Sequence, residues 1–207
     1  MHTNETLLCI QCRHDLPYAY YHEKNNPLKK LFFGKLPIVS ATSLFLFHKN
    51  GTAQTLIHLL KYKQQEYIGS FLGYLLAEEL KKNQLFDTID MIIPVPIHQK
   101  RITKRGYNQL TLLGKTLSKE LQIPFNESIL IKTEPSRTQT LKNKLDRRKN
   151  TENSFKLTDT SVLENKKILL LDDVITTGAT IEACARELLK TKNVAISIAS
   201  VAHTPNF

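Results

Sequence analysis

Cysteine is scarce in this chain, and its apolar runs are short. The three cysteines, Cys9, Cys12 and Cys184, are too few for a disulfide framework, so we expect a reducing, cytoplasmic setting. The longest apolar runs, such as Ser43–Phe47 and Ile168–Leu171, are far too short to span a bilayer. The N-terminus also lacks the basic start and apolar stretch of a secretory signal. We therefore expect no membrane insertion.

Two common nucleotide-binding signatures are also missing. No G-x-x-x-x-G-K-[ST] occurs, and no G-x-G-x-x-G follows a strand, which argues against a nucleoside triphosphatase and a Rossmann dehydrogenase. What the chain has is 207 residues of which 41% are hydrophobic and 23% charged. That composition suits one globular domain with a real core.

The charge of the chain is concentrated in one segment. The net charge is +10, and residues 100–150 carry thirteen Lys and Arg against four acids, a net of +9. An even scatter of lysines would indicate an ordinary solvated surface. A concentrated basic block instead indicates a polyanionic partner, either a diphosphate or a nucleic acid.

Strand-like and helix-like segments alternate along the chain. Short β-branched or apolar runs predict buried strands, and i, i+3, i+4 spacing of apolar residues predicts helices between them. We predict strands at Ser43–Phe47, Met91–Val95, Ile168–Leu171 and Val194–Val201, and helices at Thr52–Lys63, Tyr67–Lys82, Tyr107–Leu121 and from Thr180 onward. Such alternation predicts an α/β fold with a mainly parallel sheet flanked by helices, preceded by a small irregular N-terminal segment.

The most informative motif begins with the third predicted strand and reads Ile168-Leu-Leu-Leu-Asp172-Asp173-Val-Ile-Thr176-Thr177-Gly178-Ala179-Thr180. In an open parallel sheet, ligands bind beyond the carboxyl ends of strands, and this turn begins there. Small and hydroxylated residues around Gly178 allow successive backbone N–H groups to surround one anion at a helix start. We therefore expect residues Thr176–Thr180 to bind a phosphate monoester.

The paired acids before that turn suggest the rest of the ligand. Carboxylates accept hydrogen bonds from vicinal hydroxyls or bind them through Mg²⁺, so Asp172 and Asp173 match the diol of a ribose 5-phosphate ester. The ordinary alternative is a strand, a turn and an N-capped helix with acids near its positive end. That alternative explains Thr180 and one acid, but not the second acid together with Thr-Thr-Gly.

The same motif resembles the binding site for 5-phosphoribosyl-1-pyrophosphate (PRPP) in type I phosphoribosyltransferases. The surrounding chain is similar to the ComF family of competence-associated proteins on that fold. The likeness includes three segments: Leu56-Ile-His-Leu-Leu-Lys61-Tyr62; Pro94-Val-Pro-x-His98 with Arg101, Arg105, Gly106, Tyr107, Asn108 and Gln109; and Thr138-Gln139-Thr140 with Arg147, Arg148 and Asn150.

The resemblance implies roles for the basic segments. It places a pyrophosphate loop at Val95–Arg101, and we expect Val95, His98, Arg101 and Arg105 to bind the diphosphate. It places a flexible basic flap near residues 132–150, with Arg137, Gln139, Arg147 and Arg148 as its binding residues. For Arg101 or Arg105 taken singly, an ordinary exposed helix start with basic residues is nearly as good an explanation as diphosphate binding. The domain division expected is residues 1–40 as an N-terminal segment and residues 41–207 as the phosphoribosyltransferase-like domain.

The resemblance also raises the question of zinc. ComF proteins carry two C-x-x-C pairs, whereas this chain has only Cys9-Ile-Gln-Cys12, a partial zinc-ribbon remnant. His14 and His22 could complete a set of four ligands with those cysteines. Cys184 reads most simply as a small buried residue.

Two functions remain open at the level of sequence. The first is a Mg²⁺-dependent phosphoribosyltransferase. Thr176 stands where 6-oxopurine transferases hold a carboxylate base, which argues against purine salvage of that kind. No residue identifies a catalytic base or the acceptor. The second is a single-stranded-DNA-binding accessory protein that works with the competence machinery without transferase turnover. Few aromatic residues interleave the basic block, so DNA binding has weaker support.

Overall fold

The computed structural model describes residues 8, 10–21, 25–61, 66–97, 108–133 and 154–205. In chain order, its helices and strands are α1 (Ile10–His14), α2 (Pro27–Lys30), β1 (Ile38–Leu46), α3 (Thr52–Leu60), α4 (Glu66–Leu80), β2 (Met91–Pro94), α5 (Gln109–Leu121), β3 (Leu130–Lys132), β4 (Phe155–Leu157), β5 (Lys167–Ile175), α6 (Ala179–Leu188) and β6 (Ala195–His203). Short 3-10 turns lie at Gln84–Phe86 and Ser161–Leu163.

The main sheet has four parallel strands in the order β1-β6-β5-β2. β5 lies inside the sheet, where Leu170 aligns with Ile93 of β2 on one side and with Ile198 of β6 on the other. Residues Ile168–Leu171 are all fully buried, as expected for a strand covered on both faces. The predicted α/β fold with a mainly parallel sheet is confirmed. All four carboxyl ends therefore meet at one edge.

Helices cover both faces of this sheet. α4 and α5 pack together on one face, against β1, β2 and β5. α6 packs on β5 and on the small antiparallel β3–β4 ladder, and its buried Cys184 lies close enough to Asp172 for the two groups to interact electrostatically. Adjacent residues of a strand point to opposite faces, so Asp172 and Asp173 lie under different layers.

Close approach of α4 and α5 depends on a glycine. A Cβ at Gly73 would stand 2.7 Å from the backbone oxygen of Leu113 and 2.9 Å from Cβ of Thr116. The small residue lets the two helix backbones approach closely, and this packing positions the start of α5. Asn108 caps that start, since its side-chain oxygen accepts a hydrogen bond from Leu110 N at 3.0 Å.

The N-terminal segment is joined to the sheet. Residues 17–19 run antiparallel to β1 and form an isolated bridge between Tyr18 and Phe45. Backbone hydrogen bonds join Ala19 N to Leu44 O at 3.0 Å and Leu46 N to Pro17 O at 2.7 Å. The predicted division after residue 40 stays a prediction, and strand β1 runs across it.

Most predicted elements are present with shifted ends. β1 begins at Ile38 rather than at the predicted Ser43. The shift that matters for the site is in β5, which the apolar run predicts to end at Leu171 but which continues to Ile175. The acidic pair therefore lies in the last part of the strand, and the prediction of a loop starting at Asp172 was wrong. Strand pairing is a backbone property, so two acids do not interrupt the ladder with β6.

The sequence pattern also missed the β3–β4 ladder. Its strands have three residues each, too few to show a period, and Thr133 N donates to Ser154 O at 2.8 Å where the ladder ends. Lys132, the first residue of the predicted flap, belongs to β3. Thr133 is also described, whereas the rest of the predicted flap, residues 134–150, falls outside the described residues.

Among the described residues, none of the helices combines the length and the apolar character that crossing a bilayer would need.

We predict that Gly73→Ala destabilises the protein. In an exposed helix interior this change gains about 1 kcal/mol. Here the added methyl group meets the backbone of α5, and overpacking of that kind costs roughly 1–3 kcal/mol. Urea unfolding of Gly73→Ala should have a lower midpoint than that of the parent protein, whereas Ser70→Ala on the same helix should not lower the midpoint. A Gly73→Ala midpoint equal to or above that of the parent protein would contradict the close approach.

Candidate functional site

The site is built on the turn between β5 and α6. β5 ends at Ile175, α6 begins at Ala179, and the side chains of Thr176, Thr177, Ala179 and Thr180 are exposed. Gly178 precedes the helix with φ of +76°, a left-handed conformation that favours glycine. The turn is thus open to solvent, at the carboxyl edge of the parallel sheet where ligands of such folds bind.

Backbone donors in this turn are unused. In the part of the chain that the structure describes, no acceptor is found for the N–H groups of Thr176, Thr177 or Gly178. The next amide, Ala179 N, reaches only Oγ1 of Thr177 at 3.5 Å, which is long for a hydrogen bond. The free N–H groups of the first turn of α6 lie beside them, with the positive end of the helix dipole. This concentration of donors suits a doubly charged anion.

The N-terminal segment forms one wall of the turn. A Cβ at Gly178 would stand 2.9 Å from Cε1 of Phe32 and 3.0 Å from Cδ2 of Leu31. Phe32 is almost fully buried, so its ring has little room to move aside. Two features therefore favour glycine at position 178. One is the left-handed backbone conformation, and the other is steric contact with the N-terminal segment, residues 1–40.

Asp172 is the buried member of the acidic pair. Its residue is 8% exposed, and one carboxylate oxygen accepts the backbone N–H of Asp173 at 2.8 Å. Burial, and then repulsion from the neighbouring Asp173, raise the pKa of the Asp172 carboxyl well above its usual range. Ser200 is its register partner on β6, and the buried hydroxyl of Ser200 has no hydrogen-bond partner among the described residues.

Asp173 is the charged and accessible member of the pair. Its Oδ2 accepts a hydrogen bond from Nε2 of Gln109 at 3.1 Å and lies 3.4 Å from the ammonium of Lys61. Its Oδ1 accepts the backbone N–H of Val174 at 2.8 Å. A carboxylate offers about four acceptor positions, so these contacts leave room for a ligand hydroxyl. The ammonium of Lys61 also places a positive charge beside this carboxylate.

Three separate elements thus meet at Asp173. Lys61 caps the end of α3, Gln109 is the first residue of α5, and Asp173 comes near the end of β5. Both Lys61 and Gln109 lie in the segments that resemble ComF, but no role was predicted for either. The structure shows that Gln109 is buried, and a buried polar side chain has a hydrogen-bond partner, here Asp173. The sequence carries no signal of this burial.

Other predicted site residues divide into described and undescribed positions. Val95 is buried and continues β2 past its end, since its N–H donates to Leu171 O at 2.8 Å. This contact brings the start of the predicted pyrophosphate loop next to β5. The other predicted basic-loop and flap residues lie outside the described residues: His98, Arg101, Arg105, Arg137, Gln139, Arg147 and Arg148.

The predicted zinc ligands are only partly described. Cys12 and His14 are exposed on α1, whereas Cys9 and His22 lie outside the described residues. Among the side chains that the structure does describe, no cluster of three or more His, Cys, Asp or Glu could hold a metal ion. Zinc binding therefore stays a prediction.

Comparison with known proteins identifies relatives of this chain. The family profile of the phosphoribosyl transferase domain matches residues 111–206. Competence protein F of Haemophilus influenzae is 31% identical over 88% of this chain and 78% of its own length. DNA utilization protein YhgH of Escherichia coli O157:H7 is 33% identical over 65% of this chain and 60% of its own length.

Among solved structures, a purine phosphoribosyltransferase from Pyrococcus horikoshii Ot3 superposes with a TM-score of 0.43 at 22% identity, over 65% of this chain and 72% of that one. The profile match, the parallel sheet and the turn after β5 together define a protein of the type I phosphoribosyltransferase fold. Within that class, the chain belongs to the family of Competence protein F, the ComF family.

We predict that Asp172→Asn raises the free energy of unfolding at neutral pH. A carboxyl with a raised pKa holds its proton longer in the folded state than in the unfolded chain. Between the two pKa values the folded state binds more protons, so stability falls as pH rises above the ordinary carboxyl pKa. Removing the carboxyl should remove that decline and gain on the order of 1–3 kcal/mol near pH 7.

Urea unfolding of both proteins between pH 4 and 8 measures this effect. The two stability curves should converge at the acid end and separate as pH rises. Exposed Asp87→Asn is the matched control and should follow the parent protein throughout. Curves for Asp172→Asn and the parent protein that stay parallel across this range would show that Asp172 carries no such penalty.

Proposed function

We propose that this protein binds PRPP, or another ribose 5-phosphate ester, at the carboxyl edge of β5. The observation that carries the proposal is the pairing of unused amides with an accessible carboxylate. The N–H groups of Thr176, Thr177 and Gly178 have no acceptor among the described residues, and Asp173 stands two residues before the end of the strand that leads into them. Backbone N–H groups that can bind a phosphate and a carboxylate that can accept hydrogen bonds from a diol thus lie on one short stretch of chain.

In this arrangement the 5-phosphate occupies the turn. Threonine hydroxyls at 176, 177 and 180 add neutral donors around it, because all three side chains are exposed there. The ribose hydroxyls reach Asp173, whose carboxylate is paired with the ammonium of Lys61. Asp172 has a different part: buried and hydrogen-bonded to the backbone of Asp173, it shapes the strand end, and it contacts the ribose only if its side chain turns outward.

The carboxylates of this site suit a magnesium ion held on the protein side mainly through Asp173. Mg²⁺ in proteins usually takes one or two carboxylates and completes its shell with substrate oxygens and water. Asp173 can supply one such oxygen, whereas the carboxyl of Asp172 is buried and has a raised pKa. We therefore propose that Asp173, with Asp172 as a second partner at most, would hold a magnesium ion bound mainly by the ligand. The ion would supply positive charge to the diphosphate.

The structure also bears on turnover. Phosphoribosyl transfer requires charge stabilisation of the departing diphosphate and an acceptor held opposite C1 of the ribose. The loop that begins at Val95 starts beside β5, and its basic residues Arg101 and Arg105 are the proposed partners of the diphosphate. No described residue stands out as a base for the acceptor, so we propose ligand binding as the function and transfer as a further step to be tested.

The names of the relatives suggest where this binding is used. Competence protein F is named for competence, and DNA utilization protein YhgH for the use of DNA. We propose that the present chain serves the same process in the cytoplasm, where a protein with three cysteines needs no disulfide. The net charge of +10 would favour contact with single-stranded DNA, the polyanion that such a process supplies.

Calorimetric titration with PRPP tests the proposal directly. We expect saturable binding by the parent protein, weaker by about tenfold or more in Asp173→Asn, because a hydrogen bond to a charged acceptor is worth roughly 1.5–3 kcal/mol. Asp87→Asn, exposed and away from the turn, is the control and should bind like the parent.

No detectable heat with the folded parent protein would refute ligand binding at this site. Equal affinities of Asp173→Asn and the parent would remove Asp173 from it. Incubation of the protein with PRPP, Mg²⁺ and each common nucleobase then decides between transfer and binding, since only a transferase releases pyrophosphate.

The proposed contact with DNA makes a separate prediction. Each phosphate neutralised by Lys or Arg releases a counterion, so affinity for a single-stranded oligonucleotide should fall steeply as salt rises, by a slope of about −0.7 per contact on a double logarithmic plot. Fluorescence anisotropy at several salt concentrations measures the slope. A flat response, or binding too weak to detect at low salt, would exclude backbone neutralisation as a function of the basic block.

A further inference from the structure

Among the described residues, Lys61 is the cation that contacts the acidic pair. Its ammonium lies 3.4 Å from Oδ2 of Asp173, and the two side chains are 32% and 13% exposed. Among the described residues no second acceptor is found for this ammonium. An ammonium has three N–H donors, so the contact with Asp173 leaves donors free on the partly exposed side.

The contact is not needed to hold Asp173 in place. Gln109 donates to the same carboxylate oxygen at 3.1 Å, and the backbone of Val174 donates to the other oxygen at 2.8 Å. Those bonds already orient the carboxylate. Lys61 adds charge more than geometry, and its flexible four-carbon stem allows it to share that charge with a second anion.

The stereochemistry of PRPP identifies that second anion. In PRPP the diphosphate on C1 is cis to the hydroxyls on C2 and C3, so all three groups lie on one face of the ribose ring. When Asp173 accepts the hydroxyls, the diphosphate is therefore next to the same carboxylate. A cation beside Asp173 then has an anion on either side of it.

From this arrangement we infer that Lys61 binds the diphosphate of PRPP and makes the site selective for esters that carry an anionic group on C1. This inference rests on the proposed function, and it assigns a role to a residue outside the phosphate turn and outside the predicted pyrophosphate loop. Lys61 thus contacts both the carboxylate of Asp173 and the diphosphate, the group that PRPP has and ribose 5-phosphate lacks. Loss of Lys61 should therefore reduce the affinity for PRPP relative to that for ribose 5-phosphate.

The experiment compares two ligands on a set of variants. Isothermal titration with PRPP and with ribose 5-phosphate, in one buffer with excess Mg²⁺, is carried out on the parent protein, Lys61→Met, Lys61→Arg and Lys81→Met. Lys81 is the matched control, since it is another half-exposed lysine paired with carboxylates, those of Glu78 and Glu120. Lys61→Gln replaces Lys61→Met if the latter fails to give a cooperative thermal transition.

We expect Lys61→Met to weaken PRPP binding by about tenfold to a hundredfold, the range for one charge-assisted contact, and to leave ribose 5-phosphate binding nearly unchanged. Lys61→Arg should recover most of the PRPP affinity because it keeps the charge. Lys81→Met should match the parent for both ligands.

Two results would overturn the inference. Equal weakening of both ligands in Lys61→Met would show that Lys61 acts only through Asp173, and unchanged PRPP affinity would show that it makes no contact with the diphosphate. A parent protein that binds neither ligand is a different result, because it refutes the proposed function itself rather than the part played by Lys61.

Discussion

The carboxylate of Asp173 is the point on which the site depends. Backbone pairing carries β5 past its apolar stretch, so that this acid emerges at the edge of the sheet with one oxygen bound to its own strand. The other oxygen receives Gln109 from α5 and Lys61 from α3. A partly buried carboxylate destabilises the fold unless it is paired. Gln109 and Lys61 provide that pairing for Asp173 and also connect two helices to the end of one strand.

The acidic pair divides into two environments because a strand alternates its faces. Asp173 lies under the α3–α5 layer with a cation and an amide, whereas Asp172 lies under α6, near the buried thiol of Cys184. Burial, and then repulsion from Asp173, raise the pKa of the Asp172 carboxyl. Two residues that look equivalent in the motif thus have different surroundings, and Asp173 is the one paired with a cation and an amide.

Local pattern was sufficient to predict the layout of the fold. The apolar periods of α4 and α5 and the buried runs of β2 and β6 depend on short-range spacing, and each was predicted with its ends within a few residues. For α6 only the start was predicted, and β5 runs four residues past its predicted end. The turn at Gly178 could also be predicted, because glycine and a helix start identify it. Contacts between distant segments could not: Lys61 meets Asp173 across 112 positions of chain, and no local spacing reports such a pairing.

The N-terminal segment illustrates the same limit and has a wider consequence. Its composition is irregular and polar, yet residues 17–19 lie along β1, which is an outer strand of the sheet. An uncovered outer strand offers its N–H and C=O groups to any other extended chain, which is how sheets of separate molecules fuse into aggregates. Residues 17–19 occupy part of that border with the protein's own backbone, so Leu44 O and Leu46 N are already bonded within the molecule and are not free to pair with another chain.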